Sequence, residues 1–187
     1  GDADALKGWI DASAEALGGI DTVVSNVSGG NAPGEEGWRA NFEYDVLGSV
    51  RLVEGSLGYL EQSENASITL ISSTAALEKF MGASAYNAMK GAMVQYSGAL
   101  AQDVGAKGIR VNSICPGPIF IEGGSWDMIK QHMTDFHDAT IAEIPVGRMG
   151  RAEEVAAQIA LLASPFGAFT TGTNVVIDGG FTKRIQF

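Results

Sequence analysis

Cysteine, positive charge and long apolar runs are all scarce in this 187-residue chain. The one cysteine, Cys115, excludes a disulfide within the chain and fits a reducing compartment. Because it directly precedes Pro116 and Gly117, we expect a small buried side chain rather than a reactive thiol. No apolar run approaches the roughly 20 residues that cross a bilayer, and no signal peptide opens the sequence, so a cytoplasmic protein without a membrane partner is expected.

Basic residues number only 12, against 22 acidic ones, and the net charge is −10. The cations are scattered, which argues against a nucleic acid or an anionic membrane as partner. The two histidines, His132 and His137, are five residues apart, off the i, i+4 spacing that places side chains together on a helix, and no Cys or Asp cluster accompanies them. We therefore expect no metal site.

The sequence predicts a single domain, because 45% of its residues are hydrophobic and no linker or low-complexity tract divides it. The order of its predicted elements indicates the α/β class. A helix over residues 5–17, ended by Gly18 and Gly19, precedes a buried strand over 20–25. Helix followed by strand, without hairpin signals, predicts a parallel sheet. Further predicted elements are a long helix over 38–60, strands over 68–71, 109–114 and 174–178, and helices over 85–104 and 152–162.

Residues 68–90 contain the side chains best suited to catalysis. The strand stops at Ser72 and Ser73, and Ser84 can cap a helix on which Tyr86 and Lys90 share one face, four residues apart. A nearby ammonium group favours the ionised form of a phenol, so the pair suits proton transfer. Ser73 supplies a hydroxyl that can bind a substrate oxygen. A Tyr-x-x-x-Lys pair by itself is also a common accident of helical sequences.

The order of these elements, continued by a Gly/Ala-rich helix, a strand and Cys115-Pro116-Gly117, resembles the short-chain dehydrogenase/reductase family over residues 1–187. The resemblance implies an NAD- or NADP-dependent oxidoreductase that interconverts a secondary alcohol and a ketone by hydride transfer. It implies Tyr86 as acid/base and as a cofactor contact, Lys90 as the group that favours ionised Tyr86 and holds the nicotinamide ribose, and Ser73 as the substrate-orienting residue. Ser72 competes with Ser73, but only Ser73 has the family's 13-residue spacing to Tyr86.

The same resemblance implies further cofactor contacts. Asn26 is the one retained residue of an Asn-Asn-Ala-Gly motif that borders the cofactor, although it can equally be a local turn residue. Pro116 and Gly117 turn the chain so that the backbone of Ile119 meets the nicotinamide carboxamide. Asp45 stands where the family has an Asn that organises a proton-relay water. An ionised Asp45 could accept from that water and would attract Lys90; a solvated aspartate on a helix face is the alternative.

Three further segments of the chain are interpreted from their sequence pattern and from the family resemblance. Residues 29–37 are glycine-rich, but Pro33 and two glutamates make a phosphate loop improbable, so a surface loop is expected. Residues 122–144 form either a substrate lid or an ordinary amphipathic helix. In the lid, the pocket-lining residues would be Trp126, Met128, Ile129, Met133 and Phe136. Small residues on the helix with Tyr86 let another helix approach closely, and the resemblance implies that this helix forms subunit contacts in a homo-oligomer, a dimer or a tetramer.

The sequence contains no Gly-x-x-x-Gly-x-Gly turn, which the family uses to bind the cofactor pyrophosphate. We therefore expect the C-terminal portion of a Rossmann-type doubly wound parallel sheet flanked by helices, without its first three strands. Four strands would remain, with residues 20–25 as an exposed apolar edge. A second hypothesis follows, that the chain is catalytically inactive and acts as an oligomeric or binding module.

Overall fold

A computed structural model describes residues 2–185 and shows helices packed on both faces of a parallel sheet. The helices are α1 (Ala3–Leu17), α2 (Gly34–Asn41), α3 (Gly48–Leu60), α4 (Ala85–Val104), α5 (Ser125–His132), α6 (Thr134–Glu143) and α7 (Ala152–Ala163). The strands are β1 (Thr22–Ser25), β2 (Ser67–Ile71), β3 (Arg110–Pro116), β4 (Ile119–Phe120), β5 (Gly150–Arg151) and β6 (Asn174–Ile177).

The main sheet has the strand order β1-β2-β3-β6, and every neighbouring pair is parallel. All five residues of β2 and the first six of β3 are buried, because helices cover both faces of the sheet. This confirms the predicted fold class. Strand β1 lies at one edge, as expected, and Val24 on it is 38% exposed.

Two apolar clusters hold the layers together. One packs α3 and α4 against the sheet, and it is centred on Val53, Ile68, Leu70, Met93 and Val111. The other, on the opposite face, packs α7 against Ile71 and Ile114 through Leu162. Burying one such side chain stabilises the folded protein by about 1.5–3 kcal/mol. The two clusters therefore hold β2 and β3 in place, so that both strands end at the same edge of the sheet.

The predicted surface loop over residues 29–37 is wrong in its second half. The loop stops at Pro33, and α2 begins at Gly34, with Glu35 and Glu36 in its first turn, where the helix dipole favours negative charge. The predicted helix over 38–60 therefore starts earlier. It also contains a π-helical segment, Phe42–Leu47, between α2 and α3. A further difference is the short strand β4, which begins at Ile119 and pairs with β5, and which the sequence patterns did not predict.

Candidate active site

A cavity of about 680 Å³ opens at the carboxyl ends of β2 and β3. Parallel strands end at the same edge of a sheet, so residues that follow separate strands meet there. The cavity is lined by residues after β1, β2, β3 and β6, by the start of α4, and by faces of α5 and α7. Its volume is within the range of sites that enclose a small ligand.

Ser73, Tyr86 and Lys90 all line this cavity. Ser73 is the second residue after β2, has extended backbone angles, and its hydroxyl accepts a hydrogen bond of 3.1 Å from the Ala75 amide. Ser84 caps α4 as predicted, accepting a bond from the Asn87 amide, and Tyr86 lies in the first turn. The Lys90 ammonium is 5.7 Å from the centre of the Tyr86 ring. The three side chains that the sequence singles out are thus brought together.

Ser72 also lines the cavity, but its hydroxyl is committed to the scaffold. It is 4% exposed and donates a 2.7 Å hydrogen bond to the backbone oxygen of Lys90. This bond ties the end of β2 to α4. The geometry therefore favours Ser73 over Ser72 as the hydroxyl available to a ligand.

Asp45 is buried against Lys90, so the alternative of a solvated aspartate is wrong. Its Oδ1 lies 2.8 Å from Lys90 Nζ, an ion pair whose angle falls outside hydrogen-bond geometry. Its Oδ2 accepts a 2.7 Å hydrogen bond from the Gly29 amide, and Lys90 Nζ donates to the Ile71 carbonyl at 3.1 Å. Buried charges require such partners, because each loses its hydration.

The π-helical segment supplies this arrangement. Asp45 lies within it, and its backbone oxygen accepts a 2.7 Å bond from Ser49 Oγ. One helical turn earlier, the Asn41 amide group donates to the carbonyls of Gly30 and Gly37 at 3.0 and 2.8 Å. Asn41 has no motif around it, and sequence reasoning missed it. Together these bonds fasten the loop after β1 to the helix that carries Asp45.

The residues expected to contact the cofactor, Asn26, Pro116, Gly117 and Ile119, all line the same cavity. Gly117 is required by packing, because a Cβ there would lie 2.5 Å from Asp178 Cβ. Apolar Pro116 and Ile119 share the cavity with the Tyr86 hydroxyl and the Lys90 ammonium. This mixed lining fits a flat aromatic amide joined to a sugar, which is the chemical character of the nicotinamide half of NAD or NADP.

The segment over 122–144 forms two helices, α5 and α6, beside the cavity. Of the five apolar residues expected to line it, Trp126 and Ile129 do, whereas Met128 and Met133 are largely exposed. Phe136 lies behind Trp126, with its ring nearly parallel at 6.0 Å. Of the two helices, only α5 forms part of the cavity wall.

The remaining titratable candidates lie outside the cavity. Cys115 is fully buried, and burial raises the pKa of its thiol, in keeping with the expected structural role. His137 is buried in α6 and contacts the Asp138 carboxylate at 2.8 Å. Among residues 2–185, no group of three or more His, Cys, Asp or Glu side chains is placed to hold a metal ion. Over the same residues, no helix has the length and apolar character to span a membrane.

Comparisons with known proteins agree with this geometry. The family model described as enoyl-(acyl carrier protein) reductase matches residues 1–182. The isoepoxydon dehydrogenase patN of Aspergillus clavatus is 41% identical over 98% of this chain and 72% of its own length. The meso-2,3-butanediol dehydrogenase of Serratia marcescens is 32% identical, over 95% of this chain and 70% of its own.

Solved structures give the same result. A short-chain dehydrogenase/reductase from Brucella melitensis, a glucose/ribitol dehydrogenase, superposes with a TM-score of 0.87 at 30% identity, covering 98% of this chain and 74% of its own. An NADPH-bound short-chain oxidoreductase from Pseudomonas aeruginosa PAO1, described as having an atypical catalytic centre, also reaches 0.87, at 26% identity and with the same coverage of both chains. Fold, site and relatives together place this chain in the short-chain dehydrogenase/reductase family of oxidoreductases.

Proposed function

We propose that this protein interconverts a secondary alcohol and a ketone with NAD or NADP, and that Tyr86 exchanges the proton. The observation that carries the proposal is that Ser73, Tyr86 and Lys90 line one cavity at the carboxyl end of β2. The relatives support the reaction class, because two of them are named dehydrogenases of isoepoxydon and of meso-2,3-butanediol. The NADPH-bound neighbour supports a nicotinamide cofactor.

In the proposed reaction the cofactor, when bound, accepts or supplies the hydride at the substrate carbon. Ser73 holds the substrate oxygen by a hydrogen bond. In the oxidative direction Tyr86 as phenolate takes the hydroxyl proton, and in the reductive direction Tyr86 as phenol returns it to the developing alkoxide. Lys90 places its positive charge 5.7 Å from the centre of the Tyr86 ring, and it would hold the ribose hydroxyls.

Asp45 acts as a positioning residue in this proposal. Its carboxylate balances the charge of Lys90, and through Gly29 it holds the loop that contains Asn26. Asn26 would border the cofactor, Pro116 and Gly117 would shape the floor beneath it, and the Ile119 backbone would bind the carboxamide. Each of these four lies on the cavity wall, which is the observation that supports the assignment.

Replacing Tyr86 with Phe tests the function. We expect kcat to fall by roughly 10²–10⁴-fold, because only the proton-transfer group is removed, while nucleotide affinity stays within about twofold of wild type. The matched control is Tyr44→Phe, which removes an exposed hydroxyl outside the cavity. Turnover is followed by nicotinamide absorbance with each nucleotide and a panel of secondary alcohols.

Wild-type turnover that survives in Tyr86→Phe would show that the assignment is wrong. Nucleotide titration addresses the second hypothesis directly. Saturable binding of NAD(H) or NADP(H) together with turnover by this chain excludes a catalytically inactive module, whereas no binding together with no turnover would favour it.

A further inference from the structure

One wall of the cavity is built from aromatic rings. Phe80 and Trp126 both line it, with ring centres 6.1 Å apart and planes inclined at 56°. Phe136, which does not line the cavity, lies almost parallel to Trp126, at 12° and 6.0 Å. The indole of Trp126 is therefore supported by another ring, and it offers one flat aromatic face beside the inclined ring of Phe80. We call Phe80 and Trp126 the aromatic wall.

The aromatic wall is held in a fixed position relative to Tyr86. Asn87, the residue after Tyr86, donates through its side-chain amide to the carbonyls of Phe80 and Gly82, each at 3.0 Å. Between these two, Met81 has a φ of +50°, a conformation that costs energy for any side chain but glycine. The loop that carries Phe80 is thus fastened to the first turn of α4.

The cavity offers little to an anionic substrate. Among the described residues that line it, Lys90 is the only charged side chain, and Asp45 already neutralises it at 2.8 Å. Apolar side chains also line the cavity, among them Met81, Ile121, Ile129 and Phe181. An anionic substrate would lose its hydration here without gaining a free cation, which is unfavourable.

We propose that the substrate is an uncharged cyclic alcohol or ketone, and that its ring packs on the aromatic wall while its oxygen faces Ser73 and Tyr86. The proposal rests on the proposed function and specifies its substrate class. Flat or cyclic groups gain most on such a wall, because ring-on-ring contacts stabilise beyond the area that they bury. An open-chain ketone of similar size would lack this ring contact, and it would lose more conformational entropy on binding than a cyclic ketone does.

Ligand-observed NMR titration tests the proposal without requiring turnover. The probes are cyclohex-2-enone, the open-chain enone pent-3-en-2-one, and the anionic ring 3-oxocyclohexane-1-carboxylate, each measured with NAD⁺ or NADP⁺ present. We expect cyclohex-2-enone to bind about tenfold more tightly than the open-chain enone. The anionic ring should bind more weakly than cyclohex-2-enone.

Two variants of one residue separate ring contact from simple burial. Trp126→Phe keeps an aromatic face and should keep the preference for the cyclic probe, whereas Trp126→Leu is apolar but not flat and should reduce it to threefold or less. Trp9→Leu, on exposed α1, is the distant control and should behave as wild type. Equal affinity for both enones in wild type, tighter binding of the anionic ring, or an unchanged preference in Trp126→Leu would each overturn the proposal.

The proposed function and the proposed substrate class can be refuted separately. Ring-selective binding without alcohol or ketone turnover would refute the proposed function but leave the cyclic-ligand site standing. Turnover without ring selectivity would confirm the function and refute the substrate class.

Discussion

The carboxylate of Asp45 and the ammonium of Lys90 lie 2.8 Å apart, with side-chain exposures of 0% and 5%. This ion pair joins the π-helical segment to α4, and through Gly29 it also reaches the loop after β1. Removing one partner of a buried pair leaves the other charge without hydration or compensation. The pair therefore connects the stability of the fold to the charge that acts on Tyr86.

Asp45→Asn should affect both properties. We expect the free energy of unfolding to fall by about 3 kcal/mol, because the variant leaves the Lys90 charge uncompensated in the interior. In the folded enzyme the Lys90 ammonium loses the carboxylate that holds it at 2.8 Å, so its position beside Tyr86 should become less well fixed. The value of kcat/KM should accordingly fall. Urea denaturation and steady-state kinetics check the two outcomes.

Glu35→Gln is the matched control, since it makes the corresponding carboxylate-to-amide change on neighbouring α2. Glu35 pairs with Arg39, and both side chains are more than three-quarters exposed. Such exposed pairs contribute about 0.3–0.5 kcal/mol, so this variant should be close to wild type in both measurements. Equal effects of the two substitutions would mean that burial of the Asp45–Lys90 pair has no particular consequence.

Gly29→Ala should weaken the same connection from the loop side. An added Cβ would lie 2.5 Å from the Asn41 backbone nitrogen, so the loop must move and the bond to Asp45 must lengthen. Overpacking of this kind costs about 1–3 kcal/mol. In α3, by contrast, a Cβ on Gly58 meets nothing within 4 Å, and Gly58→Ala should stabilise by about 0.5–1 kcal/mol. The thermal unfolding temperature should therefore fall for Gly29→Ala and rise for Gly58→Ala. A Gly29→Ala protein as stable as wild type would contradict the prediction.

The sequence was sufficient to predict the grouping of Ser73, Tyr86 and Lys90. Tyr86 and Lys90 are four residues apart, and Ser73 follows a strand recognisable by its apolar, β-branched run. These are local signals, and the carboxyl ends of parallel strands lie at a common edge by geometry. The parallel sheet followed from the same patterns.

Other features depended on contacts between distant segments. The attraction of Lys90 to Asp45, 45 residues earlier, could be anticipated only through the family resemblance, and apolar spacing does not reveal the π-helical segment that contains Asp45. The start of α2 could not be predicted from the sequence, because Pro33 and Gly34 are typical of loops. Which of α5 and α6 faces the cavity depends on how the two helices pack, so Phe136 could not be distinguished from Trp126 by pattern.

Arg110 is expected to control the stability of the wall formed by α7. This buried side chain has no carboxylate partner among the contacts described. Instead it donates to the carbonyls of Leu162 and Gly167, the latter at 3.0 Å, and to Asn65 Oδ1 at 3.1 Å. Burial lowers the pKa of its guanidinium group. The hydrogen bonds hold the end of α7 against β3, beside the cavity.

Arg110→Met should therefore lower the free energy of unfolding by about 3 kcal/mol, because it leaves several buried oxygen acceptors without donors. Arg39→Met, which removes an exposed guanidinium on α2, should change it by no more than about 0.5 kcal/mol. Chemical denaturation of both variants measures the difference. If Arg110→Met were as stable as Arg39→Met, the carbonyls would have to be satisfied in another way.

Glu154 gives the protein an acid-sensitive contribution to stability at the start of α7. Its two carboxylate oxygens accept from Arg148 at 2.8 and 2.6 Å, and Oε2 also accepts from the Arg151 amide at 2.8 Å. Hydrogen bonding to Arg148, followed by that to the Arg151 amide, lowers the pKa of Glu154 from 4.5 to about 2. A lowered folded-state pKa means that the stabilisation is complete above the unfolded value and is lost as the pH falls toward the folded one.

Glu154→Gln should accordingly be less stable than wild type at neutral pH, and this difference should shrink as the pH falls from about 4.5 to about 2. The cause is protonation of Glu154 in wild type, which removes its ionic bonds to Arg148 and leaves two neutral side chains to compare. Thermal unfolding of both proteins across this range measures it, with Glu153→Gln on the same exposed turn as the control. Parallel curves for wild type and Glu154→Gln would show that the carboxylate charge does not stabilise α7, and that a neutral cap at this position is sufficient.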